Sequence, residues 1–190
     1  ENRPIDNVTW LNTTLDDMIP FCEYFIIPYY LWFLLVPSVV VFMLFRRRKE
    51  EFYRLSAMLF VGMSICLFIC TVFPNGVQLR GFINSRANVF TWLVSLIYHS
   101  DTNTNVFPSI HVYASLCCYI AVNRTAHAHD RRWLMPALFW LVAAITLSTV
   151  FLKQHCLLDV FGAMALAGEE DAVIVDIGGT TTDVAIVRGG

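Results

Sequence analysis

Four stretches of the chain stay apolar for roughly the length of a bilayer crossing: residues 24–45, 55–73, 106–122 and 133–152. A helix needs about 20 such residues to cross a hydrocarbon layer of about 30 Å. The first stretch meets that length without a charge, and Pro28 and Pro37 within it are tolerable kinks in a membrane helix. The third is slightly short, and the fourth opens on Trp133 and Pro136. A fifth stretch, 156–167, begins in the same way but stops after reaching only about 18 Å at a rise of about 1.5 Å per residue. Residues 89–98 form an apolar piece too short to span, which reads as an interfacial or re-entrant helix, and residues 99–105 as a polar loop. The pattern predicts an all-α polytopic transmembrane helical bundle of about five spans, the last truncated, with a short β-hairpin-like C-terminal tail.

The chain divides into a polar N-terminal loop or surface helix (1–20), a membrane domain (21–167) and an unrelated C-terminal segment (168–190). It opens on Glu1, with neither an initiator Met nor a basic leader, and reads as starting inside a longer protein. A chain cut short in its fifth span is expected to be less stable and less active than one with a complete helix.

Composition agrees with the membrane reading. Hydrophobic residues make up 57% and charged residues 15%, against roughly 25% charged in a soluble domain. The net charge of −2 gives no argument for nucleic acid as a partner. Cys22, Cys66, Cys70, Cys117, Cys118 and Cys156 contain no CxxC pair, so no zinc site is expected, and cysteine in apolar segments acts as a small hydrophobe.

Charge placement says more than the total. Arg46, Arg47, Arg48 and Lys49 lie between the first two spans, and Arg124, Arg131 and Arg132 between the third and fourth. Positive loops stay cytoplasmic. The opposite ends of the spans, which carry Arg80, His111 and His155, then share the other face. The expectation is an integral protein of a bacterial plasma membrane with an extracytoplasmic active site.

Ionisable groups at span ends are functional candidates. His155 and Asp159 are four residues apart, so on a helix the carboxylate approaches the imidazole. A carboxylate on one ring nitrogen fixes the tautomer and leaves the other nucleophilic. Pro108 suits a first helical turn, which places Ser109 and His111 near exposed main-chain N–H groups able to hold an anion. Ser109 offers a donor to phosphate oxygens and His111 a proton for a leaving oxygen, while Arg80 and Lys153 supply positive charge.

These residues resemble the type 2 phosphatidic acid phosphatase (PAP2) superfamily, whose pattern is Lys-x6-Arg-Pro, Pro-Ser-Gly-His and Ser-Arg-x5-His-x3-Asp. Pro108-Ser109-Ile110-His111 is similar to the second part, and Ser148-Thr149 followed by His155 and Asp159 to the third. Arg80 matches the arginine of the first. The resemblance covers roughly residues 20–167. It implies a lipid phosphatase acting on phosphate monoesters or pyrophosphates. His155 would attack phosphorus and form a phosphohistidine, and Asp159 would orient it. His111 would protonate the departing alkoxide, and Arg80, Ser109 and Lys153 would hold the phosphate. No metal or other cofactor is implied. The partners would be a lipid phosphate substrate and the bilayer, with a homo-oligomer left open.

Three positions depart from the pattern: Phe73 stands for its lysine, Gly81 for its proline and Thr149 for its second arginine. Each missing charge is worth about 2–4 kcal/mol if uncompensated. Lys153 is a candidate replacement. The variation resembles the branch with inositol-phosphorylceramide-synthase-like and sphingomyelin-synthase-like phosphotransferases, which use similar His, His and Asp residues with a lipid alcohol as acceptor. A non-catalytic protein keeping the outline of the site is the remaining alternative.

In the tail, Asp176-Ile177-Gly178-Gly179-Thr180-Thr181-Thr182-Asp183 resembles the phosphate loop of the actin, Hsp70 and sugar-kinase superfamily, closest to hydantoinase and oxoprolinase proteins. A two-stranded hairpin cannot enclose a nucleotide. The segment therefore reads as a fragment rather than a second active site.

Overall fold

A computed structural model describes residues 8–45, 49–84, 87–128, 133–170, 173–177 and 182–186. Its elements are β1 (Thr9–Trp10), α1 (Thr14–Met18), a 3-10 turn (Glu23–Phe25), α2 (Ile26–Leu44), α3 (Lys49–Val72), β2 (Asn75–Gly76), α4 (Val89–Ser100), α5 (Ile110–Ala128), α6 (Leu134–Phe151), α7 (Leu157–Glu170), β3 (Val173–Ile177) and β4 (Thr182–Ile186). The molecule is an all-α bundle.

Helix α5 is the hub, packed against α2, α3, α6 and α7. Val112, Tyr113 and Cys117 of α5 meet Met43 of α2, Leu55 of α3, Ile145 of α6 and Ala163 of α7 in one core. The large side chains Leu34, Phe60, Phe68, Trp140 and Phe161 are exposed. Apolar groups inside and outside together are the pattern of a bundle solvated by lipid. Among the described residues, three helices are long and apolar enough to cross a membrane: Glu23–Leu44, Lys49–Val72 and Leu134–Phe151. Helix α5 is long enough at 19 residues but less apolar, because its neighbours rather than lipid cover Val112, Ala114, Ser115, Cys117 and Cys118.

Two helices differ from the expected spans in instructive ways. Helix α5 begins at Ile110 rather than Val106, because the main-chain N–H groups of Val106 and Phe107 donate to Asn75 Oδ1 at 2.9 and 2.8 Å and hold that stretch outside the helix. It also runs past Val122 into polar residues, where Thr125 Oγ1 donates to Glu51 Oε2 at 2.9 Å. Helix α7 continues through Gly168 to Glu170. A single glycine costs a helix only about 1 kcal/mol. The short apolar piece at 89–98 is α4, started by Asn88, whose Oδ1 accepts from Thr91 N at 2.8 Å. It docks through Val94 and Ile97 onto Ile26 and Tyr29 of α2 and onto Leu152.

Close approach of α3 and α5 depends on Gly62. A Cβ there would lie 1.9 Å from Tyr113 Oη, a buried hydroxyl that donates to Met58 O at 2.7 Å. Gly62→Val is expected to cost about 1–3 kcal/mol by overpacking. A lower thermal unfolding midpoint in detergent would register that loss, and an unchanged midpoint would contradict this packing account.

The tail forms an antiparallel β3–β4 pair with Val173 opposite Ile186 and Ile177 opposite Thr182. The residues of its phosphate-loop resemblance, Gly178, Gly179, Thr180 and Thr181, lie outside the described residues, as do Arg46, Arg47, Arg48, Arg131 and Arg132 of the basic blocks.

Candidate active site

The site assembles where α7 begins, facing the start of α5. A helix N-terminus carries free N–H groups and a positive dipole end, so it favours a carboxylate in its first turn. Asp159 occupies that turn and is fully buried. Its Oδ2 accepts from Cys156 N at 2.9 Å and lies 3.2 Å from His155 Nδ1. A carboxylate only accepts, so a neutral ring in this contact carries its proton on Nδ1 and leaves the Nε2 lone pair free. The carboxylate that caps the helix also orients the histidine.

Thr149 sets the approach to His155. Its main-chain oxygen accepts from Gln154 N and His155 N, at 3.0 and 3.1 Å. Lys153 takes the left-handed conformation with φ 56° at the turn. The chain thus leaves α6, turns tightly and delivers Gln154 and His155 buried against the bundle, at 1% and 6% exposure.

His111 enters from the first turn of α5, its ring centroid 5.7 Å from that of His155 and edge-on to it. Rings of α2 form its other walls, Tyr29 at 4.9 Å and Trp32 at 4.4 Å. The main-chain N–H of Ser109 donates to the main-chain oxygen of Asp159 at 3.2 Å, which ties the start of α5 to the start of α7. Ser109 itself stands just before α5 rather than inside its first turn; it is fully buried, with Oγ 3.5 Å from Val112 N.

Arg80 arrives from the segment after β2. Its Nη1 donates to Asp101 O at 2.7 Å, and its Nη2 to Thr102 O at 3.1 Å and Gln154 Oε1 at 2.5 Å. The guanidinium lies over the Tyr98 ring at 4.7 Å and 4.0 Å from the Asp101 carboxylate. Burial draws its pKa below the ordinary value, with Asp101 and Tyr98 pulling the other way. The same burial raises the Tyr98 phenol to about 12, opposed by Arg80.

Lys153 is placed differently. Its Nζ donates to the main-chain oxygen of Asp16 at 2.5 Å. Asp16, in the N-terminal segment, is 1% exposed and accepts from Leu157 N through Oδ1 at 2.7 Å and from Thr13 N through Oδ2 at 2.8 Å. One short helix thereby grips both ends of the loop that carries His155. Phe73 and Thr149, at the positions of the pattern's absent cations, are respectively 41% exposed and fully buried, with Thr149 Oγ1 donating to Thr146 O at 2.8 Å.

Sequence reasoning thus picked out His155, Asp159, His111 and Arg80, which gather here, but missed Asp16, Gln154 and Asp101. Asp16 acts across more than a hundred residues of chain, and its only signal was one acidic side chain in a polar stretch. Among the described residues, four buried side-chain polar atoms have no partner: Trp32 Nε1, Arg80 Nε, Gln154 Nε2 and Asp159 Oδ1. All four belong to residues of this site. Elsewhere each such group would cost about 1–3 kcal/mol. No three His, Cys, Asp or Glu side chains among the described residues converge as metal ligands.

A family model described as the PAP2 superfamily matches residues 4–169. No curated protein and no solved structure matches the chain. The match takes in the N-terminal segment that carries Asp16 as well as the two histidines, and the β3–β4 tail lies beyond it. The chain belongs to the PAP2 superfamily.

Proposed function

We propose that the protein is an integral membrane lipid phosphatase that works through a phosphohistidine at an extracytoplasmic site. The observation that carries this reading is the His155–Asp159 contact of 3.2 Å with the His111 ring at 5.7 Å. One histidine is fixed as a nucleophile and a second stands close enough to pass a proton. His155 Nε2 attacks phosphorus, the bond to the lipid oxygen breaks, and protonated His111 gives its proton to that oxygen. Water then attacks the phosphohistidine and gives its proton to His111. The P–N bond breaks, and inorganic phosphate leaves. Arg80 supplies cationic charge, and the Tyr29 and Trp32 rings beside His111 suit an apolar leaving group. The substrate class is a phosphate monoester or pyrophosphate of a lipid.

A second reading keeps the same histidines but passes the phosphoryl group, with its head group, to a lipid alcohol. Phe73 and Thr149 favour it, since fewer cations suit a singly charged phosphodiester better than a dianionic monoester. The two readings separate on one assay in detergent. Release of inorganic phosphate from phosphatidic acid or a polyprenyl pyrophosphate supports the phosphatase. Head-group transfer to ceramide or diacylglycerol without such release supports the transferase.

Asp16 is a positioning residue in this scheme. Asp16→Ala removes the acceptor for Leu157 N and is expected to cost about 1 kcal/mol of stability, the scale of a lost helix cap. Turnover should fall about 10- to 100-fold, because a small misplacement of the reacting groups is amplified in rate. Measuring kcat beside the unfolding midpoint checks this: a loss of stability at unchanged kcat would refute the positioning role.

A further inference from the structure

The buried amide of Gln154 has one half in use and one half free. Its Oε1 accepts from Arg80 Nη2 at 2.5 Å, which fixes the orientation of the group and turns Nε2 the other way. Nε2 is buried without a partner among the described residues, in a side chain 1% exposed. The next residue in the chain is His155. Arg80 Nε is likewise buried and unpartnered, so the two linked side chains present two unused donors. Buried donors in folded proteins have acceptors, and one left over calls for an explanation. We infer that Gln154 is a substrate-binding residue whose Nε2 donates to a phosphoryl oxygen beside His155, with Arg80 holding the amide in place.

This inference rests on the phosphoryl-transfer reading above and deepens it. It accounts for how the site functions with Thr149 where the superfamily pattern has arginine. Gln154 N is bonded to the main-chain oxygen of Thr149 at 3.0 Å, so the substitute donor is held by the residue at the position that lost its cation. Lys153, the other candidate for that role, has its Nζ on Asp16 O at 2.5 Å. A neutral amide directs a hydrogen bond without adding charge, so recognition here depends more on geometry than on attraction.

The test uses the full chain in detergent with orthovanadate as the phosphate analogue. Gln154→Glu keeps the size of the side chain and its contact with Arg80 but replaces the donor by an acceptor. Gln154→Met keeps the length and removes both polar atoms. Both are expected to lower kcat/KM about 100-fold, the scale of one lost transition-state donor. The orthovanadate concentration that protects against thermal unfolding should rise about tenfold or more, while the midpoint of Gln154→Glu without vanadate stays near that of the wild type. A purely structural role would lower the midpoint of Gln154→Glu and leave the vanadate dependence of both variants unchanged, which would overturn the inference. Failure of both variants to fold would also overturn it. A wild-type protein that neither turns over lipid nor gains protection from vanadate would overturn the underlying reading, and the inference with it. Wild-type protection that persists unaltered in the variants would overturn the inference alone.

Discussion

Replacing His155 by alanine is expected to abolish turnover while leaving the bundle folded. The imidazole makes its hydrogen bond through Nδ1 to Asp159 Oδ2, and that carboxylate keeps its bond from Cys156 N at 2.9 Å without it. The start of α7 therefore survives the substitution. In the proposed mechanism the side chain lost is the one that carries the phosphoryl group, and removing a nucleophile from a covalent mechanism costs on the order of 10⁵–10⁶ in kcat. Circular dichroism should report the same helix content, with the unfolding midpoint lowered by the loss of a buried ring and of its contact with the Asp159 carboxylate. Activity that persists within about tenfold of the wild type would mean that His155 is not the nucleophile.

The second large effect falls on Asp159→Asn. Cys156 N and His155 Nδ1 share the one oxygen Oδ2, so an Asn that keeps its oxygen there retains the cap at the start of α7. The change removes a negative charge at a helix N-terminus, worth about 0.3–1 kcal/mol. Catalysis should suffer far more. A carboxylate on Nδ1 leaves Nε2 free of a proton and balances the charge that develops on the ring; an Asn oxygen at the same place loses that balancing charge, and an NH2 group turned there puts the proton on Nε2 at the expense of the Cys156 N bond. Loss of the orienting carboxylate in a comparable triad costs about 10⁴-fold, and a fall in kcat of about 10³–10⁴-fold is expected here with little change in KM. A fall in stability of several kcal/mol alongside a small fall in kcat would show instead that Asp159 serves mainly to hold α7.

Much of this was legible in the chain because lipid imposes a simple grammar. The uncharged run at 24–45 and the long apolar runs at 55–73 and 133–152 correspond to helices, and the short run at 89–98 to α4. His155 and Asp159 were legible from their spacing of four, although His155 stands in the turn before α7 rather than on the helix. What escaped the sequence depends on contacts between distant segments. Asn75 holds Val106 and Phe107 out of α5, and the pattern of apolar residues does not encode that. Ser109 and His111 read alike as first-turn residues, yet the delayed start of α5 puts Ser109 Oγ near Val112 N and leaves His111 facing His155. Lys153 read as a phosphate ligand from its charge alone. Its left-handed turn carries Nζ to Asp16, while the neutral Gln154 that follows is the side chain bonded to Arg80.

The most direct test of the account is to trap the covalent intermediate. The protein would be mixed in detergent with phosphatidic acid labelled with ³²P in its phosphate, quenched in alkali within the first turnovers, digested and sequenced by mass spectrometry. The account predicts an acid-labile, alkali-stable phosphoryl group on the peptide that contains His155, absent in His155→Ala. Turnover without any phosphohistidine, or a phosphoryl group carried on another residue, would contradict it.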